Sequence, residues 1–507
     1  MLQLPNEIRA LIFGYVDSQT LSVVSITSRL LHAASASALL RHLVWRSHRR
    51  AEEHLHTFWQ KYPDRERFVR SLSLKFTPAL RKDLSSDPEP DGSEFDFDFH
   101  QDVLSKISRF HYSLFQLVLC GLAIPANFYA LLDSLPHLRD LTIRQCVIPD
   151  PPPRLSCPPS LEVLTLVHLR PRRQRVPTYS PYFIHLFPTV TRLAIDHLGI
   201  ATFPAPHSFP MICSPTNIVL AFSFPSLMLP TQDYANILRE IPSENLCTLT
   251  VIDTFCYSPT RPSCPELDFW DTKLRFPCLH SVTAPLAIIN ALIRVTAGLQ
   301  HVAVQGAIWH THLATRLIDE LQQYRHHVRS LALTLVSWDE LVATRASEAL
   351  PRLERLEILY QVDGEGGIDD FQPQPSKAFF ATMTGRHLSK LPHLTTLCIH
   401  PFPASLYDSF QFPLRALEEP ATPSFALVVE EGLRRVSPAK IEEMWRLLPN
   451  LQQVTLPDGD QALQTWIRHA KGQWRAMGNC RDYEAGWTSA RAVPKTMYAT
   501  HDPSIYE

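Results

Sequence analysis

The chain has 507 residues, 45% hydrophobic and 19% charged, which excludes a disordered composition and leaves room for about three domains unless a repeat array takes over. Lys+Arg 48 against Asp+Glu 50 excludes a global attraction to nucleic acid or anionic lipid, so neither kind of partner is expected. The 15 glycines fall below half the usual ~7% and disfavour phosphate-cradling loops, whereas the 43 prolines break the chain often.

The start, Met1 to Glu7, lacks the basic and apolar segments of a signal peptide, and no Asn-x-Ser/Thr sequon occurs. The ten cysteines are scattered, with no Cys-x-x-Cys, which reads as buried reduced thiols in an intracellular protein. Residues 115–132 are apolar but carry Gln116, Pro125 and Asn127, so no membrane span is expected.

Leu4-Pro5-Asn6-Glu7-Ile8 opens a helical pattern, with Pro5 and Glu7 suited to a first turn. Ile8, Leu11, Ile12, Tyr15 and Val16 then share one apolar face. Leu21, Val24 and, past a break near Ser25 to Ser28, Leu30, Leu31, Ala34, Ala38, Leu39 and Leu43 continue as two more short helices. Three such helices bury little surface alone and keep apolar residues for a neighbour. The segments Leu4 to Ile8, Ile12-Phe13-Gly14-Tyr15-Val16-Asp17 and Leu21 to Arg29, in that order, resemble the F-box motif. The resemblance covers about residues 1–45 and implies docking to the Skp adaptor of cullin-based ubiquitin ligases. By the same resemblance Leu4, Pro5, Ile8, Ile12 and Phe13 line a first adaptor contact, and Leu21, Val24 and Ser25 a second. Gly14 inside the first helix departs from helix-forming preference at a cost of ~1 kcal/mol.

From Val69 onward one phrase recurs: apolar-x-x-apolar-x-apolar. It begins at Val69, Leu114, Leu138, Leu161, Val190, Leu246, Leu279, Leu299, Val328, Leu353, Leu394 and Leu451, at spacings of 20 to 57 residues. Leu-Pro-x often precedes it, as in Leu135-Pro136-His137 and Leu391-Pro392-His393. The alternation predicts a half-buried strand whose first, fourth and sixth side chains point inward. Three such side chains are worth roughly 1.5–3 kcal/mol apiece before entropy, so copies must stack. Helical stretches such as Leu313 to Tyr324 would pack on the outer side. The pattern is that of a leucine-rich repeat, although the usual Asn or Cys after the strand is mostly missing and the spacing is irregular. Behind an F-box it looks like the fungal F-box and leucine-rich-repeat proteins; an unrelated α/β domain with parallel strands is the alternative.

The expected fold is therefore α/β: an N-terminal three-helix F-box followed by an irregular leucine-rich-repeat solenoid with parallel strands. Its boundaries are an F-box over 1–50 and a helical, basic linker with the first repeat strand and an acidic disordered insert over 51–107. The solenoid spans 108–477 and a tail 478–507.

Several local clusters carry weaker signals. From Asp83 to Asp102 there are eight acids and no Lys or Arg, with Phe95, Phe97 and Phe99 alternating. Glu94-x-Asp96-x-Asp98 fails as a calcium loop, because Phe99 and Ser105 stand where the glycine and closing glutamate belong. A disordered insert or a partner-binding acidic-aromatic segment remains. The stretch Arg41 to Lys82, with eleven Lys/Arg against four acids, can pair weakly with it. Arg170-x-Arg172-Arg173-x-Arg175 reads as a solvated loop, an acidic-substrate patch or a nuclear-import patch. His54-x-His56 and His310-x-His312 lack a third ligand in reach, so no metal and no cofactor are expected. No catalytic signature occurs, and no catalytic residue is assigned.

These readings converge on a non-catalytic adaptor, located in the cytoplasm, the nucleus or both. It would hold the Skp adaptor through its first helices and a protein substrate on the concave side of the repeats, at Thr142, Arg144, Asp196, Gln305, Glu357 and His400. Two alternatives are an F-box-bearing scaffold outside any ligase and an unrecognised hydrolase on a mixed α/β fold.

Overall fold

Every one of the twelve leucine phrases leads into a β-strand. The computed structural model describes residues 8, 12–13, 15–16, 18–76, 97–125, 127–148, 155–167, 182–196, 215–222, 244–253, 275–296, 298–362, 390–403, 450–458, 462–468 and 474–477. The chain divides into two compact units, Met1–Pro215 and Thr216–Glu507.

In the first unit six strands pair in chain order, all parallel: β1 His42–Trp45, β2 Ser71–Lys75, β3 Gln116–Cys120, β4 Asp140–Arg144, β5 Val163–Val167 and β6 Arg192–Asp196. The register aligns the phrases residue for residue, so that Leu72, Leu117, Leu141, Leu164 and Leu193 form one row. With the first and sixth positions, such as Leu138 and Ile143, they make the core. The second unit repeats the device over β7 Asn217–Phe222, β8 Thr248–Asp253, β9 Ser281–Pro285, β10 His301–Ile308, β11 Ser330–Leu335, β12 Arg355–Val362, β13 Thr396–Pro403 and β14 Gln453–Asp458. Its inward row runs Leu249, Val282, Val302, Leu331, Leu356 and Leu397, and Val454 continues the register on β14. This is a leucine-rich-repeat architecture, read from the chain's own ladder. It departs from the expected all-parallel array at the end, where β15 Ala462–Arg468 and β16 Trp474–Met477 add antiparallel.

One backbone arrangement recurs beside most phrases. The carbonyl at the second position of a phrase accepts N–H groups from the second and third positions of the next phrase. Arg70 and Ser71 donate to Arg41 at 2.9 and 3.0 Å, and Arg139 and Asp140 to Phe115 at 2.8 and 3.0 Å. In the second unit Arg329 and Ser330 donate to Gln300 at 2.7 and 2.9 Å. Buried backbone groups need such partners, and one shared acceptor satisfies two donors. In three copies the eighth position is left-handed: Gly121 (φ 72) and Gln145 (φ 50) directly follow their strands, and Gly306 (φ 88) lies within β10.

The same hydrogen bonds identify two copies that the phrase count overlooks. Leu40-Arg41-His42-Leu43-Val44-Trp45 forms β1, with Leu43 and Trp45 buried. Leu43 is thus in a strand and not in the expected third helix, because pairing with β2 and the β-forming Val44 and Trp45 override the helical spacing. The first repeat strand therefore lies inside the segment assigned to the F-box. Pro215-Thr216-Asn217-Ile218-Val219-Leu220 leads into β7, its first position being a proline, and the Thr216 carbonyl accepts from Cys247 and Thr248.

At the N-terminal side, residues 8 and 12–13 are helical, followed by α1 Ser18–Thr27 and α2 Arg29–Leu39. The break between them falls at Ser28, whose hydroxyl accepts the Leu31 N–H at 3.1 Å and caps α2. Helix α3, His48–Glu53, runs through a π-helical turn, His54–Phe58, into Trp59–Lys61. His54 and His56 therefore sit together on that helical turn. The indole N–H of Trp45 donates to His54 Nδ1 at 3.1 Å.

Helix α4, Phe97–Ile107, begins within the segment expected to be disordered. His100, Val103, Leu104 and Ile107 follow helical spacing and are buried, so the apolar residues beyond Asp102 carry the last acidic residues into a helix. Its Asp102 pairs with Lys106 at 2.6 Å and lies 3.4 Å from His56 Nε2. The rest of the insert, Arg170 to Arg175 and residues 478–507 lie outside the described residues. Six cysteines are described and all are free, but only Cys146 is buried; Cys157 and Cys278 are exposed, unlike the buried thiols expected, because they stand in connecting segments.

Helices α5 Phe128–Asp133, α6 Leu286–Ile293, α7 Thr311–Gln323 and α8 Glu340–Ala349 occupy connections between strands. In α7, which covers the stretch expected from Leu313 to Tyr324 except for its last residue, Ala314, Leu317, Ile318 and Leu321 are buried. After α7, buried His326 ties two segments together: Nδ1 accepts the Leu299 N–H at 3.1 Å, and Nε2 donates to the Ile293 carbonyl at 2.9 Å. Burial is the main influence holding its pKa below the ordinary 6.5. The neutral form is favoured in the fold, so this contribution is present above pH 6.5 and is lost as pH falls through the depressed pKa. Wild type should lose more stability between pH 7 and pH 5 than His326→Gln in thermal melts; a difference between them that is constant with pH would refute this assignment.

Candidate functional site

Two surfaces stand out, one on the first helices and one on the sheet face opposite the leucine rows. On α1, Leu21 and Ser25 are four residues apart and buried, and Val24 is half-buried between them. The Ser25 hydroxyl donates to the Ser22 carbonyl at 2.7 Å. The opposite side of the same helix exposes Val23 (57%) and Ile26 (82%), and Ile8 (43%) and Tyr15 (87%) are exposed nearby in sequence. Ile12 is half-buried and Phe13 buried, while Leu4 and Pro5 lie outside the described residues. The residues expected to face an adaptor are thus divided. Ile8 is open, Ile12 and Val24 are intermediate, and Phe13, Leu21 and Ser25 are held in this chain's own interior. Val23 and Ile26 were not singled out from sequence. Their signal was an α1 apolar on both sides, which implies two packing partners.

On the sheet, the third, fifth and seventh phrase positions share the face away from the leucines. In the first unit the third position reads Ser71, Gln116, Asp140, Val163 and Arg192 across β2 to β6. The Ser71 hydroxyl donates to Gln116 Oε1 at 2.8 Å, and Gln116 Nε2 donates to Asp140 Oδ2 at 3.0 Å. This makes a polar chain across three strands. Thr142, buried at the fifth phrase position on β4, lies on the same face two residues from Asp140 and favours its carboxylate. Arg144 is half-buried two residues on, and Asp196 ends β6 with its side chain outside the description. Burial pushes the Asp140 carboxyl up to about 6, against the pull of Gln116, Arg192 and Thr142.

In the second unit Glu357 is buried on β12 and pairs with Arg355 at 3.0 Å, two residues before it on the same face. Cys398 lies opposite Glu357 on β13, and burial, reinforced by Glu357, pushes its thiol pKa up. Gln305 is buried on β10 where the register with β11 shifts, next to left-handed Gly306. His400 pairs in register with Leu359 on β13, its side chain outside the description. The structure thus places Thr142 and Arg144 together in one unit, and Gln305 and Glu357 on nearby strands of the other. Asp140, Gln116 and Arg355, which sequence reasoning passed over, occupy the third position, where a polar residue recurs ahead of the fourth-position leucine.

His310 and His312, at the start of α7, stack at 5.5 Å and are exposed. Among the described residues no group of three or more His, Cys, Asp or Glu is arranged to hold a metal ion. Among the same residues no helix is long and apolar enough to cross a membrane.

No protein-family model matches the chain, and no curated protein matches it. Among solved structures it is similar to a leucine-rich-repeat protein of Leptospira interrogans, at 12% identity and TM-score 0.28 over 82% of each chain. A plant peptide hormone receptor, RGFR1 in complex with RGF2, is also similar at 12% identity and TM-score 0.22, over 70% of this chain and 45% of the receptor. Scores this low carry no argument, so the repeat assignment rests on the strand ladder above.

Asp140 yields a test of the polar chain. A carboxyl whose folded pKa is raised above 3.8 to about 6 makes the fold less stable as pH climbs through that interval. Asp140→Asn should raise the melting temperature at pH 8 relative to wild type and leave it nearly unchanged at pH 4; equal melting curves at both values would show that the carboxyl titrates normally.

Proposed function

We propose that the chain is a substrate-recognition adaptor of a cullin-based ubiquitin ligase, non-catalytic itself, whose first helices dock on a Skp adaptor while the repeats take a protein substrate. The reading rests on the F-box-like order of residues 4–29 together with one observation: Ile8, Tyr15, Val23 and Ile26 stay exposed although the inward side chains of these helices are already packed. Leaving such side chains in water forgoes roughly 25 cal/mol per Å² of apolar area, which a partner would recover. Ile8, Ile12 and Val24, with Val23 and Ile26, would touch the adaptor, joined by Leu4 and Pro5. Phe13, Leu21 and Ser25 would set the shape of that surface from beneath. The substrate would meet the polar face of the sheet at Arg144 and Asp196 in the first unit and at His400 in the second, with the buried Thr142, Gln305 and Glu357 supporting that face from beneath. Catalysis is by proximity, since holding a substrate lysine near the charged conjugating enzyme raises its effective concentration.

The stacked repeats alone support a second reading, a protein-interaction scaffold outside any ligase. Co-expression with a Skp adaptor separates the two. Wild type should co-purify with the adaptor and recruit a cullin. The doubly substituted Ile8→Arg, Ile26→Arg chain should lose the adaptor at an unchanged melting temperature, because both side chains are exposed. Wild type that leaves the adaptor behind, or a double variant that still holds it, would leave the scaffold reading standing.

A further inference from the structure

A 3-10 helix, Pro63–Phe68, enters β2 at the N-terminal edge of the first unit's sheet and carries cations laid against aromatic rings. The Arg65 guanidinium lies 4.5 Å from the centre of the Tyr62 ring, and the Lys61 ammonium 5.5 Å from it. Arg67 lies 5.1 Å over Phe68, and Arg70 lies 5.2 Å over Phe115, at the second phrase position of the next strand. Arg70 also donates to the Ser113 carbonyl at 3.3 Å, and its own N–H bonds the carbonyl of Arg41, which adds an exposed cation along the same edge. Of the acids here, Glu66 is taken by Arg109 at 3.0 Å, and Asp64 is exposed. Among the described residues no carboxylate forms a salt bridge with Lys61, Arg65, Arg67 or Arg70.

The rings decide what this edge suits. Each holds a flexible cation in place, so much of its side-chain freedom is lost on folding and not on binding. Each cation occupies a ring face on which a nucleobase would otherwise stack, which disfavours single-strand binding. What remains open is a row of preset guanidinium hydrogen-bond donors matched to carboxylates. We infer that this edge, from Lys61 to Arg70 with Arg41, binds an extended acidic segment of a partner protein through that segment's carboxylates. The inference stands whether or not the first helices dock on a Skp adaptor.

Fluorescence anisotropy on the full chain tests it, with a labelled peptide of alternating Glu and Ser, its Gln-for-Glu counterpart and a short oligothymidylate as probes. The Glu peptide should bind best, more weakly at higher salt. The triple variant Arg65→Gln, Arg67→Gln, Arg70→Gln should weaken it about tenfold, against less than about twofold for Arg352→Gln in the second unit. Arg67→Gln alone, an exposed side chain, should weaken it ~2–3-fold and answers the question should the triple variant lose its fold. Equal binding by Arg67→Gln and wild type, or by the Glu and Gln peptides, overturns the inference. So does an oligothymidylate that binds tighter than the Glu peptide and is lost in the same variants, which would make the edge a nucleic-acid site.

Discussion

The carbonyl at the second position of a phrase, in most copies accepting two N–H groups from the next strand, is the contact on which the remaining structure depends. It sits where the chain turns into the strand, and it fixes the register through the backbone alone. A slip of one residue would turn every fourth- and sixth-position leucine to the opposite face, so backbone and side chains enforce the same alignment. Because that rung is local, the connection between rungs is free to vary. Phrases starting at Leu279 and Leu299 and phrases starting at Leu394 and Leu451 deliver the same inward row, although 20 residues separate the first pair and 57 the second.

That freedom explains where chemistry can accumulate. The leucine face admits only volume-matched apolar side chains, whereas the opposite face tolerates any residue that finds a partner. The chain Ser71–Gln116–Asp140, across neighbouring strands, and the pair Arg355–Glu357, along a single strand, are such solutions, each held on a rigid ladder. Buried polar groups of this kind give little net stability, but they position donors and acceptors well. The loops and first helices differ in character: their exposed apolar and cationic side chains are not needed for the ladder, which leaves them available to partners.

Much of this was legible in advance. Twelve phrases and their inward positions followed from alternation, while helical spacing gave the break between α1 and α2 and the helix expected over 313–324. The copies at Leu40 and Pro215 escaped for opposite reasons. The first also satisfies helical spacing with the residues before it, and the second has a proline where the pattern expects a branched apolar residue. Helix α4 escaped because counting acids over residues 83–102 hid four apolar or buried positions at helical spacing that straddle the boundary. The adaptor-facing residues were only partly separable, since a short helix apolar on both sides does not announce which side its own chain will cover.

The sequence by itself determined the repeating unit, its inward side chains and the absence of a glycine-rich or catalytic signature, because a two-residue alternation and a phrase period are local properties of the chain. Only the tertiary structure decided that Leu43 lies in a strand, that the parallel run closes on two antiparallel strands, and that Phe13 and Leu21 are covered while Ile8, Val23 and Ile26 are not. It also placed the Arg70 guanidinium over Phe115, 45 residues away. Burial and pairing of that kind depend on which distant segment arrives beside a residue, and no window along the chain contains that information.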